Sequence, residues 1–273
     1  MDVNKIYNQD CFETMQQMSA DNQKVDIILT SPPYCTLYDD ARKNTEKKFK
    51  NYMAFYDVFN GFESPDEYRE WTIKLFNAYD TVLEKDGVIL YNLSYSTEYP
   101  YLIYLCIADI INHTNFVVAD CISWKKNSAL PQNRNKNRLT RVCEFVFVFV
   151  RKSELKTFRT TKEEYTVGSN PFYKNLFTNF IEAPNNDILD QNINKLNNAT
   201  FSTAFVKNLL DRYADADSIV YDSFMGTGTT AVACKSYGCN YIGSELSAAQ
   251  VEFANKRLGG IRALKSPKVK RLW

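Results

Sequence analysis

Ser31, Pro32, Pro33 and Tyr34 stand directly behind the apolar run Val25–Leu29 and Thr30. A run of that length reads as a buried strand, and two prolines end it abruptly. Neither proline has an N–H, and both hold φ near −65°. The result is a stiff stretch of carbonyl acceptors with a hydroxyl before it and an aromatic ring after it. Such a segment can grip a flat, amine-bearing group. Ser31 Oγ and the Pro32 carbonyl accept its N–H bonds while Tyr34 stacks on its face. The same residues also suit a plain strand running into a Pro-Pro turn, and a second segment tips the balance. Asp222-Ser223-Phe224-Met225-Gly226-Thr227-Gly228-Thr229-Thr230 lies between the strand-like Ser218–Tyr221 and the helix-like Thr229–Lys235. Glycines between a strand and a helix N-terminus let a ligand approach the backbone, and the free N–H groups favour an anionic group. Glu245 closes the next strand, Asn240–Ser244, about 20 residues on, where an acid can take ribose hydroxyls. No Gly-Lys-Ser/Thr follows and the glycine spacing departs from Gly-x-Gly-x-x-Gly, which argues against a P-loop.

Together the two segments resemble the catalytic motif and cofactor loop of S-adenosylmethionine-dependent amino-methyltransferases acting on DNA. The order, catalytic motif first and cofactor loop last, is similar to that of the beta class, and the resemblance runs over nearly the whole chain. It implies a class I methyltransferase (Rossmann-like) α/β fold with circularly permuted motifs, S-adenosyl-L-methionine as cofactor, and double-stranded DNA as partner. It also implies Ser31, Pro32, Pro33 and Tyr34 as the catalytic set. The cofactor set it implies is Asp10, Cys11, Thr200, Phe201, Ser202, Asp222, Phe224, Gly226, Gly228, Thr229, Thr230 and Glu245, with Asp10 on the adenine and 199–202 on the methionine end. Ile122–Lys125 and Arg141–Glu144 resemble paired motifs near the target pocket. The chain departs from the family at Ser223 and Ser202, where proline is common, and near Asn198, where the family commonly has histidine. Serine in place of aspartate at position 31 is the form typical of cytosine-N4 enzymes, with adenine N6 as the alternative. A methyltransferase of RNA or of a protein amide, and a non-catalytic subunit with a decayed site, are the rival readings; the intact motif and both loop glycines oppose decay. A homodimer and a cognate restriction endonuclease, as in a restriction–modification system, complete the partners the resemblance admits.

The reaction asks for base flipping and a clamp. The exocyclic amine of cytosine or adenine is a poor nucleophile because its lone pair is delocalised into the ring. Two acceptors on its hydrogens localise that pair, with no covalent enzyme intermediate. A base inside a duplex must be flipped out to reach such a site. Cys35 does not suit covalent cytosine-C5 chemistry, because it follows Tyr34 where that motif requires proline.

Composition sets the background. The 273 residues carry a formal charge of +1, so no global basic field announces nucleic acid. Basic residues are clustered instead: Lys125, Lys126, Arg134, Lys136, Arg138 and Arg141 span a stretch without acids, as does the tail 262–273. Both are predicted to meet phosphates. Seven cysteines without a Cys-x-x-Cys pair and a lone His113 predict no metal site. No leader and no apolar stretch of about 18 residues is present, which predicts a cytoplasmic protein away from membranes.

The elements that must position these residues follow from periodicity. Strands are expected at Lys5–Tyr7, Val25–Leu29, Val88–Leu93, Phe116–Trp124, Val142–Val150, Ile219–Asp222 and Tyr241–Ser244, with helices between most of them. That predicts a seven-stranded, largely parallel sheet covered on both faces. Ser64-Pro65-Asp66-Glu67 is a capping box opening a helix towards Glu84, with Gly87 ending that unit. The division expected is a catalytic half over 1–150, a target-recognition region over 151–198, a cofactor half over 199–261 and the basic tail 262–273. The polar, aromatic stretch 35–63 after the catalytic motif is expected to be a mobile lid over DNA.

Overall fold

The computed structural model describes residues 1–33, 35, 61–94, 99–127, 137, 139–167, 169–175, 177–187 and 200–261. Tyr34, most of the expected lid, Arg134, Lys136, Arg138 and the tail 262–273 lie outside them.

The described chain runs β1 (Lys5–Tyr7), α1 (Cys11–Ala20), β2 (Val25–Thr30), α2 (Pro65–Val82), β3 (Leu83–Leu93), α3 (Leu102–His113), β4 (Phe116–Lys126), β5 (Cys143–Arg151), β6 (Lys162–Val167), β7 (Asn170–Asn175), β8 (Phe180–Ala183), α4 (Thr203–Tyr213), β9 (Ile219–Asp222), α5 (Thr229–Tyr237), β10 (Asn240–Ser244) and α6 (Ala248–Gly259). Eight strands form one sheet in the order β1-β10-β9-β2-β3-β5-β4-β8, and β6 and β7 form a separate hairpin. β1, β10, β9, β2 and β3 are mutually parallel, whereas β5 runs antiparallel to both β3 and β4. All seven expected strands are present. The eighth, β8, pairs parallel with β4 and buries Ile181 and Ala183. Its four residues are too short for a period to stand out in an Asn-rich stretch.

Among the described residues, each face of the sheet carries three helices. Phe205 and Leu209 of α4, Val232 of α5, and Ala254 and Leu258 of α6 pack on one face. Met15 and Met18 of α1, Leu75 and Phe76 of α2, and Ile103 and Ile110 of α3 pack on the other. The capping box holds: Ser64 Oγ accepts from Glu67 N at 3.1 Å, while Glu67 Oε2 reaches one residue further back, to Glu63 N. Gly87 does not end the helical unit. The helix stops at Val82, the strand has begun by Leu83, and Gly87 lies inside it. A Cβ there would lie 2.8 Å from Leu83 Cδ1 and 3.0 Å from Asp26 O, so glycine answers a close approach between β3 and β2.

Candidate functional site

Five parallel strands bring the C-terminal ends of β1, β10, β9, β2 and β3 to one edge of the sheet. Chain order reverses between β9 and β2, and ligands of open α/β sheets bind in the crevice outside such a switch point. Ser31 leaves β2 on one side of it, and the glycine loop leaves β9 on the other.

Hydrogen bonds join the two segments across this point. Thr30 Oγ1 donates to Asp222 Oδ1 at 2.7 Å, and Thr230 Oγ1 donates to Asp222 Oδ2 at 2.5 Å. Phe224 N donates to Oδ1 at 3.1 Å. Behind them Ser223 Oγ donates to Thr30 Oγ1 and pairs with the Tyr79 hydroxyl at 2.6 Å. Since Ser223 gives its proton to Thr30, Tyr79 is the donor to Ser223, and the chain runs Tyr79, Ser223, Thr30, Asp222. Burial pushes the Asp222 carboxyl up to about 6, and the Thr230, Thr30 and Phe224 donors hold it back from rising further. Asp222 thus spends its carboxylate on protein donors and fixes the loop from behind.

The loop itself has the features of an anion and nucleoside cradle. Gly226 and Gly228 adopt φ of 53° and 83°, and Gly228 serves as N-cap of α5 with no side-chain cap bond. A Cβ on Gly228 would lie 2.6 Å from Ala254 Cβ, because α6 packs against the loop. Thr227 Oγ1 is buried with no partner among the described residues. An uncapped helix N-terminus beside an orphan hydroxyl fits the carboxylate end of S-adenosylmethionine. Glu245 Oε2 accepts from Gly226 N and Oε1 from Ser247 N, both at 2.8 Å, so the acid at the end of β10 is docked onto the glycine loop. Phe224 and Trp71, both half-buried, lie 5.7 Å apart and give the cradle an aromatic side.

The remaining expected cofactor residues occupy the same edge in supporting positions. Asp10 caps α1 by accepting from Phe12 N at 2.7 Å, and Cys11 is buried, its thiol pushed up by that burial. Ser202 caps α4 through Phe205 N and donates to the Pro184 carbonyl. Phe201 packs edge-on against Phe205, with the half-buried Thr200 before it. Sequence reasoning missed the strap beside them. Asp187 Oδ1 accepts from Thr203 N and Oγ1, and its Oδ2 pairs with Arg257 at 2.9 Å. Arg257 in turn donates to the Thr227 carbonyl and Thr229 Oγ1.

Around Ser31 the picture differs from expectation. Ser31 is half-buried, with Pro32 and Pro33 buried behind it. Trp124 is core: it stacks on Phe205 at 4.0 Å and donates to the Ala183 carbonyl. The side chain that meets Ser31 is Asn92, whose Nδ2 lies 3.5 Å from Ser31 Oγ and 3.1 Å from Glu144 Oε2. A lone amide inside the apolar run Val88–Leu93 was the available signal. The basic stretch is acid-free in sequence but not in space. Lys125 pairs with Glu182 at 3.1 Å and Lys126 with Glu144, while Arg141 is half-buried. No group of His, Cys, Asp and Glu suited to a metal occurs among the described residues, and none of their helices is long and apolar enough to cross a membrane.

Comparison with known proteins points the same way. The model of the DNA methylase family matches residues 25–256. Type II methyltransferase M.HinfI of Haemophilus influenzae is 23% identical over 264 residues, which cover 95% of this chain and 69% of the relative. Type II methyltransferase M1.MboII of Moraxella bovis is 22% identical, covering 93% and 96% respectively. Among solved structures, the M1.HpyAVI–SAM complex superposes with a TM-score of 0.60 at 26% identity, over 93% of this chain and 98% of that one. PvuII DNA methyltransferase (cytosine-N4-specific) gives a TM-score of 0.66 at 18% identity, over 95% and 88%.

Proposed function

We propose that this chain, which belongs to the DNA methylase family, methylates the exocyclic N4 amine of a cytosine flipped out of double-stranded DNA. S-adenosyl-L-methionine is the methyl donor and supplies an electrophilic methyl group on sulfonium. The observation that carries the reading is the placement of Ser31-Pro32-Pro33 and the glycine loop on opposite sides of one switch point, tied by Thr30 and Asp222. Donor and acceptor of the methyl group are thereby held by adjacent strand ends.

Ser31 Oγ and the Pro32 carbonyl accept the two amine hydrogens and localise the lone pair towards the methyl group, while Tyr34 stacks on the base. The uncapped start of α5 and Thr227 take the carboxylate of the donor, Phe224 and Asp10 its adenine, and Glu245 its ribose. Glu245 must release Gly226 N, or share it, to do so. The region 151–198 reads the target sequence and 35–63 closes over it. The enzyme works in the cytoplasm, as the modification arm of a system with a cognate endonuclease. Cytosine is favoured over adenine by serine at position 31.

Mass spectrometry of nucleosides from DNA of cells with and without the gene tests the base: N4-methylcytosine is expected. N6-methyladenine would overturn the base assignment, and 5-methylcytosine the mechanism. Ser31→Ala should retain donor binding and lose on the order of 100-fold in rate, the usual effect of removing one aligned polar partner. Tyr34→Ala should weaken target engagement by one to two decades, since stacking is worth about 1–3 kcal/mol per base.

A further inference from the structure

We infer that Asn92 is a positioning residue for the Ser31 hydroxyl, held in its working orientation by the Glu144–Lys126 ion pair. The inference rests on the reading of Ser31 given above and extends it to three residues from the ends of three other strands.

Register places the group. Thr30 is the partner of Tyr91 in the parallel β2–β3 ladder, so the next residues, Ser31 just past the end of β2 and Asn92 near the end of β3, lie side by side. Asn92 is 3% exposed and its carboxamide has two directed contacts: Nδ2 to Ser31 Oγ at 3.5 Å and Nδ2 to Glu144 Oε2 at 3.1 Å. Glu144 is acceptor-only when ionised, and its other oxygen, Oε1, is taken by Lys126. With the carboxylate anchored, only the amide nitrogen of Asn92 can face it, which fixes the flip of the carboxamide. Asn92 Oδ1 is then left buried without a partner among the described residues. Apolar side chains fill the strand around it, from Val88 to Tyr91 and at Leu93, so packing alone gives no reason for a buried amide with an orphaned oxygen.

The chemical need is specific. A serine hydroxyl rotates freely, and Ser31 is useful only when a lone pair faces the target amine. A donor on the opposite side of Oγ occupies one acceptor lobe and selects that rotamer. The 3.5 Å separation is long for a hydrogen bond, as catalytic contacts often are before the target is bound.

The test compares Asn92→Leu, Ser31→Ala and the double variant in single-turnover methylation of unmodified plasmid DNA with tritiated donor. Asn92→Leu keeps the shape and should fold. Its single-turnover rate constant at saturation is expected to fall by about 10- to 100-fold, with affinities for donor and DNA changed by less than about threefold. In the Ser31→Ala background the same change should cost less than about threefold further. An equal loss in both backgrounds overturns the inference and leaves the role of Ser31 standing. A fully active Ser31→Ala enzyme overturns both. Glu144→Leu should reproduce the Asn92→Leu loss, and Glu144→Gln should restore only a small part of the rate, because its single oxygen can serve Lys126 or Asn92 but not both. Full activity in either leucine variant also overturns the inference.

Discussion

Thr30→Val is the most direct probe of how the two halves of the site are joined. Thr30 is fully buried, and its hydroxyl donates to Asp222 Oδ1 while accepting from Ser223 Oγ. Valine keeps the shape and removes both bonds. A hydrogen bond to a charged group contributes about 1.5–3 kcal/mol, and a buried hydroxyl left without its partner costs about 1–3 kcal/mol. Allowing for the apolar gain of the new methyl group, the net loss should be about 2–3 kcal/mol with Asp222 ionised. The effect must depend on pH. Burial lifts the Asp222 carboxyl from its ordinary value of 3.8 to about 6 in the folded protein. Its proton is therefore bound more tightly in the fold. The stability it contributes is complete below pH 3.8 and is lost as pH rises through about 6. Removing a donor that favours the ionised form raises this pKa further, so much of the loss is felt only where Asp222 is ionised. The destabilisation should thus be about 2–3 kcal/mol at pH 8 and shrink to about 1 kcal/mol at pH 5, where Asp222 is protonated in both proteins. Urea unfolding at the two pH values reads this directly, and calorimetry with S-adenosylmethionine should show weaker binding of the donor to Thr30→Val. A penalty equal at pH 5 and pH 8 would refute the assignment of an ionisable, Thr30-supported Asp222.

Gly228→Ala puts a methyl group 2.6 Å from Ala254 Cβ at a φ of 83°, so strain and overpacking together should cost on the order of 2–4 kcal/mol; thermal melting should fall by about 5–10 °C, and an unchanged transition would mean that α6 yields freely. Lys125 already has Glu182 as partner and Lys126 has Glu144, so neutralising Lys125 should alter the salt slope of DNA binding by less than about one, whereas neutralising Arg134, Lys136 and Arg138 together should reduce it by about 2–3; equal slopes for both variants would remove the distinction.

What could be read from the sequence was whatever lies within a few residues of itself. The strand-Pro-Pro motif and the strand-Gly-helix loop are local, and β1, β9 and the box at Ser64 are where periodicity and capping chemistry put them. β8 was missed because its four residues are held from outside. Arg212 of α4 grips the carbonyls of Thr178 and Phe180, and Ser123 N bonds the Asn179 carbonyl. No pattern within Phe180–Ala183 encodes those partners. The acids that pair with Lys125 and Lys126 were hidden for the same reason, since they arrive from β8 and β5. Asn92 is an intermediate case. Its polarity inside an apolar strand was visible, but its meaning required the β2–β3 register to set it beside Ser31.

The two serines that stand where the family commonly has proline show how this chain closes its site. Proline at either position would supply rigidity through a fixed φ and no hydrogen bond. Ser202 instead caps α4 and donates to the Pro184 carbonyl, so the segment ahead of the helix is held by two directed bonds. Ser223 instead passes a hydrogen bond from Tyr79 of α2 to Thr30 at the end of β2. α2 is the first helix after the catalytic motif among the described residues, and Ser223 begins the cofactor loop. A proline there would break that chain and leave the Tyr79 hydroxyl, itself fully buried, without an acceptor. Stiffness that proline would confer one residue at a time is here spread over Tyr79, Ser223, Thr30 and Asp222. Geometry at the methyl-accepting end is therefore coupled to geometry at the methyl-donating end, and a change in any one of the four should be felt in both donor binding and rate.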